Sequence, residues 1–279
     1  MNRKIKAMLP VLAFPALILM MLAADRGIQL VRNTAVAGCR PQDLAEITDV
    51  WFETGAVETA ANGQEKIVCL TFDDGPSRTT EAVLDVLRRE AVPATFFVIA
   101  AENNQKYLPL IAAEVSQGCQ IALHSCSHEY RKIYSGADAF WKDLEALKAA
   151  IGPYVDTDAL RCLRFPGGST NTVSRKYGGS GLMKQLKAQA EEKGYHYIDW
   201  NVCADDAVGK RKSADEVVRN VIEDAGEKTV CVVLMHDTNA TASTAQALPD
   251  IIRWFRDKGY RFCTVEEMLT ATAQEKPAT

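Results

Sequence analysis

The sequence predicts an α/β fold in which parallel strands are covered by helices. Three observations carry that expectation. Strand-like and helix-like segments alternate about seven times after residue 64, and such alternation implies parallel strands joined by helical crossovers. The strand segments are short, apolar and nearly unbroken in hydrophobicity, as in a sheet buried on both faces. Polar clusters recur at the C-terminal ends of these strands, the edge where parallel α/β folds gather their active sites. Pattern alone leaves both a doubly wound sheet and a barrel open.

Ile67 to Phe72 is an apolar, β-branched run and reads as the first buried strand. Thr80 to Glu90 places Ala82, Val83, Val86 and Leu87 on one helical stripe. Ala94 to Ile99 is the second strand, Leu108 to Gln117 a helix, and Gln120 to Leu123 the third strand. Ala137 to Ile151 is a helix with Phe140, Leu144 and Leu147 on one face. Leu160 to Phe165 reads as a strand, Leu182 to Lys193 as a helix, and Tyr195 to Trp200 as the fifth strand. Ser213 and Glu216 have the spacing of a capping box, which opens a helix reaching about Ala225. Thr229 to Leu234 is the sixth strand, Ala245 to Lys258 a helix, and Tyr260 to Cys263 the last strand. Thr264 to Glu267 caps a short closing helix.

Residues 1–24 stand apart. Arg3, Lys4 and Lys6 precede an uncharged apolar stretch from Ala7 to Ala24. The basic flank predicts a cytoplasmic N-terminus and an exported remainder. The stretch is at the lower limit for a membrane-spanning helix, and no small-x-small cleavage site closes it. Ala35-Val36-Ala37 and Val36-Ala37-Gly38-Cys39 lie beyond Asp25, Arg26 and Arg32, too far away to serve. The expectation is an uncleaved anchor in the cell membrane, a spacer over 25–63, one domain over 64–272 outside the cytoplasm, and a loose tail over 273–279. Cleavage would give a secreted form instead.

Hydrophobic residues make up 47% of the chain, enough for a sizeable core, and the net charge is -4. No basic run with interleaved aromatics is present, which argues against nucleic acid as a partner. Eight cysteines are scattered without a CxxC pair, which argues against a zinc ribbon, and most read as single buried strand residues.

The chemistry-bearing residues fall in five places. Asp73-Asp74-Gly75 follows the first strand, and His124 and His128 straddle the end of the third. Arg164-Phe165-Pro166-Gly167-Gly168 begins at the end of the fourth, Asp205-Asp206 follows the fifth, and His236-Asp237 the sixth. Singly, each reads as an ordinary turn, a surface arginine or a core histidine. Together they supply two imidazoles and one carboxylate for an open-shell metal site, with a carboxylate and a histidine left over as base and acid. Near the aspartates, Arg164 can hold a carboxylate through paired hydrogen bonds. The absence of HExxH disfavours a zincin protease.

These segments resemble the NodB-type polysaccharide deacetylases, carbohydrate esterase family 4, over roughly residues 64–270. The family's ordered motifs TFDDG, HSxxH, RxPxG, an aspartate motif and LxH are matched by Thr71–Gly75, His124–His128, Arg164–Gly168, Asp206 and Leu234–His236. The resemblance implies a distorted (β/α) barrel of about seven parallel strands. It implies that Asp74, His124 and His128 bind a divalent transition metal, zinc first, with Co2+, Ni2+ or Mn2+ as substitutes. It implies Asp73 as general base steadied by Arg164, and His236 as general acid tuned by Asp206. Leu234 and Pro166 would contact substrate, Leu234 lining the pocket for the acetyl methyl. The implied activity is hydrolysis of N-acetyl groups on an exported glycan, as in membrane-anchored peptidoglycan deacetylases. N-acetylglucosamine is the first choice of sugar and N-acetylmuramic acid the second. An O-acetyl esterase acting on a glycan such as xylan, and a non-catalytic glycan-binding wall protein, are the alternatives. One departure bears on the groove wall: Ala207 stands where many relatives carry tryptophan.

Overall fold

The structure is a computed structural model that describes residues 65–274. The expected anchor over 1–24, the spacer over 25–63, Cys39 and residues 275–279 lie outside the described residues. Among the described residues no helix is long and apolar enough to cross a membrane.

Eight strands form one parallel sheet: β1 (Lys66–Asp73), β2 (Thr95–Ile99), β3 (Gln120–Ser125), β4 (Cys162–Leu163), β5 (His196–Tyr197), β6 (Val202–Cys203), β7 (Val230–His236) and β8 (Tyr260–Phe262). Seven run in the order β5-β4-β3-β2-β1-β7-β6, and β8 pairs with β1. One edge of β1 is shared. Its start, Lys66 to Val68, pairs with β8, and its end, Thr71 to Asp73, pairs with β2. The opposite edge pairs with β7 along seven residues.

The sheet must curl. β5 and β6 sit at opposite ends of the seven-strand path. Flat, they would be about 29 Å apart at about 4.8 Å per strand. Yet only residues 198–201 separate Tyr197 from Val202, and five extended steps span at most about 18 Å. The link brings the two ends of the sheet toward each other and makes a half-barrel, consistent with the distorted (β/α) barrel expected. Asn201 sets the re-entry: its backbone N–H donates to Val232 O, its side-chain amide donates to Val230 O, and its Oδ1 accepts from Val232 N–H.

Side-chain alternation divides the core in two. Val68, Leu70 and Phe72 of β1 join the larger cluster under the helices. Ile67 and Cys69 join a smaller cluster on the concave face, with Phe97, Ala122, Cys162, Trp200 and Leu234. Burial on both faces explains why the strand segments read as unbroken apolar runs. Six of the seven described cysteines are buried, as expected for strand residues.

The helices are α1 (Arg78–Glu90), α2 (Leu110–Ser116), α3 (Tyr130–Ile133), α4 (Ala137–Ile151), α5 (Val173–Gly178), α6 (Leu182–Glu192), α7 (Ala214–Ala225), α8 (Ala242–Asp257) and α9 (Val265–Gln274), plus a 3-10 turn over Glu102–Tyr107. Capping boxes open α1 at Ser77 and α7 at Ser213. Several expectations need correction. Of the fifth strand expected over 195–200 only His196–Tyr197 pairs, and an unexpected two-residue strand, Val202–Cys203, follows once the chain changes edge at Asn201. The strand expected over 160–165 pairs only at Cys162–Leu163. Three short helical segments, Glu102–Tyr107, α3 and α5, lacked a periodic signal. The closing helix runs to Gln274, two residues into the tail expected over 273–279.

Candidate active site

The alternation that builds the core also builds the site. Ile67, Cys69, Thr71 and Asp73 share a strand face, and so do Ala122 and His124, Val232, Leu234 and His236, and Cys162 and Arg164. Each series runs from the inner apolar cluster to a polar residue at the C-terminal edge. Four of the residues singled out in the sequence therefore converge because they share one parity.

Asp74 breaks this rule and needs a turn to reach the same place. Its φ is 69°, a left-handed conformation unusual outside glycine. Gly75 follows where a Cβ would run into the Asp237 carboxylate. The turn brings Asp74 Oδ1 to 3.5 Å from His124 Nε2 and 3.3 Å from His128 Nε2. His128 is also left-handed, with φ 52°. Ligand atoms of Asp74, His124 and His128 all lie within 4.8 Å of one another.

The local chemistry fits a cation. Asp74 Oδ1 is buried without a hydrogen-bond partner. His124 Nδ1 lies 2.7 Å from Arg164 O; a carbonyl only accepts, so the ring proton sits on Nδ1 and Nε2 offers a lone pair. Burial, against the pull of Asp74, takes the His124 pKa down to about 3, so the ring is neutral at ordinary pH. A bare imidazole nitrogen facing an orphaned carboxylate oxygen is a repulsive pair that a shared divalent cation reconciles.

Asp73 is 3% exposed. Its Oδ1 accepts from Arg164 Nη1 at 2.7 Å, and its Oδ2 faces His124 Nε2 at 3.8 Å. Burial raises its pKa, opposed by the Arg164 charge. Arg164 is fully buried and sits 4.0 Å above the Phe97 ring. Its remaining donors go to Ile198 O, Thr71 Oγ1 and Asp199 O. The expected paired hydrogen bonds to one carboxylate are therefore a single bond, with the other donors fixing the guanidinium to two backbone carbonyls and the Thr71 hydroxyl.

Across the site, His236 Nδ1 lies 2.8 Å from Asp206 Oδ1, and the His236 backbone N–H donates to Asp206 Oδ2. Thr244 Oγ1 also donates to Asp206 Oδ2. Burial opposes charging His236, but the charge and hydrogen bond of Asp206, with Asp74 and Asp73 adding, lift its pKa to about 10. Asp206 follows β6 rather than the single fifth strand expected. Asp205 turns away and accepts from Cys203 Sγ. Leu234, 6% exposed, lies in the inner cluster below the edge. Pro166 is buried, and its carbonyl accepts from Tyr134 Oη.

Two supporting residues escaped the sequence reading, and a third, Asp237, was singled out there without a role. Asp143 of α4 accepts from Ser125 Oγ, Cys126 N–H, Ser127 N–H and Ser127 Oγ, which fixes the segment between the two histidines. Its signal was there: a carboxylate set into the stripe of Phe140, Leu144 and Leu147. Asp199 accepts from Ser169 N–H and Oγ and anchors the loop after Pro166. Asp237 accepts from Thr80 Oγ1 under the Asp74 turn, and burial raises its pKa to about 7.

A parallel half-barrel with an open cation site, flanked by a held carboxylate and a charged histidine at its C-terminal edge, defines a hydrolase of the metal-assisted kind. A family profile described as Polysaccharide deacetylase matches residues 60–182. A peptidoglycan-N-acetylglucosamine deacetylase of Bacillus cereus is 32% identical over 77% of this chain and 94% of its own length. A bifunctional xylanase/deacetylase of Pseudobutyrivibrio xylanivorans is 31% identical over 73% of this chain, which spans only 30% of that protein. The catalytic domain of peptidoglycan N-acetylglucosamine deacetylase from Eubacterium rectale has 40% identity and a TM-score of 0.68, over 76% of this chain and 94% of that one. The chain belongs to the polysaccharide deacetylase family.

Proposed function

We propose that this protein hydrolyses N-acetyl groups on peptidoglycan, N-acetylglucosamine first and N-acetylmuramic acid second. The observation that carries the reading is the orphaned Asp74 Oδ1 beside two imidazole nitrogens, with Asp73 and His236 flanking it. Asp74, His124 and His128 would hold the ion. A mixed imidazole and carboxylate set suits Zn2+, with Co2+, Ni2+ or Mn2+ as substitutes. When bound, such an ion polarises the acyl oxygen and lowers the pKa of water.

The chain's own groups do the rest. Asp73 takes the proton of the attacking water, and Arg164 holds its other oxygen so that one oxygen stays aimed at the site. His236 carries a proton on both ring nitrogens near neutral pH, given its raised pKa. Nδ1–H stays with Asp206, and Nε2–H passes to the departing nitrogen as the C–N bond breaks. The products are acetate and a free amine. Leu234 packs where the acetyl methyl would rest, and Pro166 shapes the opposite wall.

Similarity to a bifunctional xylanase/deacetylase keeps O-acetyl ester cleavage as the second reading. A non-catalytic binder fits poorly, because every acid, base and ligand is present. Residues 1–24 are proposed as a membrane anchor, with the domain outside the cytoplasm. Fractionation would find the intact chain in membranes, and a soluble chain lacking residues 1–37 would refute this. The decisive assay is mass spectrometry of muropeptides incubated with the metal-loaded protein. Loss of an acetyl mass with a new free amine on one sugar supports the reading. Unchanged muropeptides, or acetate released from esters alone, overturn it.

A further inference from the structure

Four cations crowd one rim of the site. Arg131 and Lys132 lie on α3, just beyond His128, and Arg175 and Lys176 lie on α5; all four are exposed. The two segments pack closely. A Cβ at Gly178 would come within 2.5 Å of the carbonyl oxygen of Tyr134, so almost nothing separates the backbones. The Arg131 guanidinium lies 5.6 Å and the Lys176 ammonium 5.4 Å from the centroid of the Tyr177 ring. One half-buried aromatic ring thus attracts cations from both segments.

Among the described residues no carboxylate neutralises this rim. Among the described residues none of the four makes an ion pair, whereas Arg88, Arg253, Arg256 and Arg261 elsewhere on the surface each hold one. The sequence explains why. Residues 159–190 contain six Lys or Arg and no Asp or Glu. Glu129 is the only acid between residues 125 and 137. A chain of net charge -4 has kept its acids away from this face. Uncompensated like charges repel, so the arrangement is costly unless an anion visits.

We propose that this rim binds carboxylates carried by the glycan, and so selects strands bearing acidic peptide substituents over neutral oligomers. The proposal rests on the deacetylase reading for its substrate. The sugar being deacetylated lies at the Asp74, His124 and His128 site. The segment of α3 next to His128 then meets the neighbouring sugars of the same strand. Each exposed charge pair is weak by itself, and four acting together are expected to change selectivity by about tenfold.

The test compares kcat/KM on peptide-bearing muropeptide strands and on neutral N-acetylglucosamine oligomers. The proteins are the wild type, an Arg175→Gln/Lys176→Gln variant, and the variant that also carries Arg131→Gln and Lys132→Gln. Thermal melting and metal content check that each variant is folded and loaded. The ratio of acidic to neutral substrate should fall about threefold in the first variant and about tenfold in the second, chiefly through KM. In the wild type the ratio should fall as salt shortens the Debye length. A ratio indifferent to both substitution and salt overturns the proposal. If the wild type releases no amine from either substrate, the deacetylase reading fails. Calorimetric binding of the same muropeptides then decides the rim by itself: equal binding by the wild type and the four-site variant overturns it.

Discussion

Asp73 and Asp74 are neighbours in the chain with opposite environments. Asp73 ends a strand with its side chain on the inner face, buried against Arg164. Asp74 is turned by a left-handed backbone toward two imidazoles. Asp73→Asn should keep the metal and lose activity by a factor on the order of 10² to 10⁴, the usual worth of a general base. Elemental analysis beside acetate release checks this, and full activity would remove Asp73 from the role. His128→Ala should lose the metal, and unchanged content would refute the ligand set. His236 gives a pH prediction with a definite sign. Its folded pKa is raised from 6.5 to about 10. Its charged form therefore stabilises the metal-free fold fully below about pH 6.5, and that contribution disappears as pH rises through about 10. Urea unfolding of the wild type and His236→Gln should show a stability gap that narrows across this window, and a constant gap would contradict it.

Among the elements, the segment from His124 to His128 depends on a helix that contributes no catalytic group. Asp143 reaches from α4 and accepts four hydrogen bonds from Ser125, Cys126 and Ser127. Asp143→Ala strands those donors and should cost about 2–4 kcal/mol in urea unfolding. It should also weaken metal affinity, although Asp143 is no ligand. A stable variant with unchanged affinity would show that the segment holds its own shape. The long strands were legible in the sequence because both faces bury apolar residues, as at Val68 to Phe72. So were the site residues on β1, β3 and β7, because strand parity carries them to the edge. The short elements were not. β5 and β6 have two residues each, and their boundary is set by Asn201 bonding to β7, a partner about thirty residues away. α3 and α5 are too short for a helical stripe. Asp143 was visible only as an acid in an apolar face, and its partners could not be named before the fold was known.

At the scale of the described domain, one sheet has its ends tied by four residues, and that tie brings Asp206 to the site beside Asp73 and His236. β6 carries Asp206 to His236, while β4 carries Arg164 to Asp73. The residues that support the base and the acid therefore come from opposite flanks of one curled sheet, while Asp73 and His236 themselves pair in register on β1 and β7. The central claim is that a single divalent ion sits between them. The most direct measurement is an anomalous difference map, recorded at the zinc absorption edge, from crystals grown with one equivalent of Zn2+. One peak is predicted, about 2.0–2.2 Å from Asp74 Oδ1, His124 Nε2 and His128 Nε2. A map with no peak there, or with the ion bound by other residues, would contradict the account.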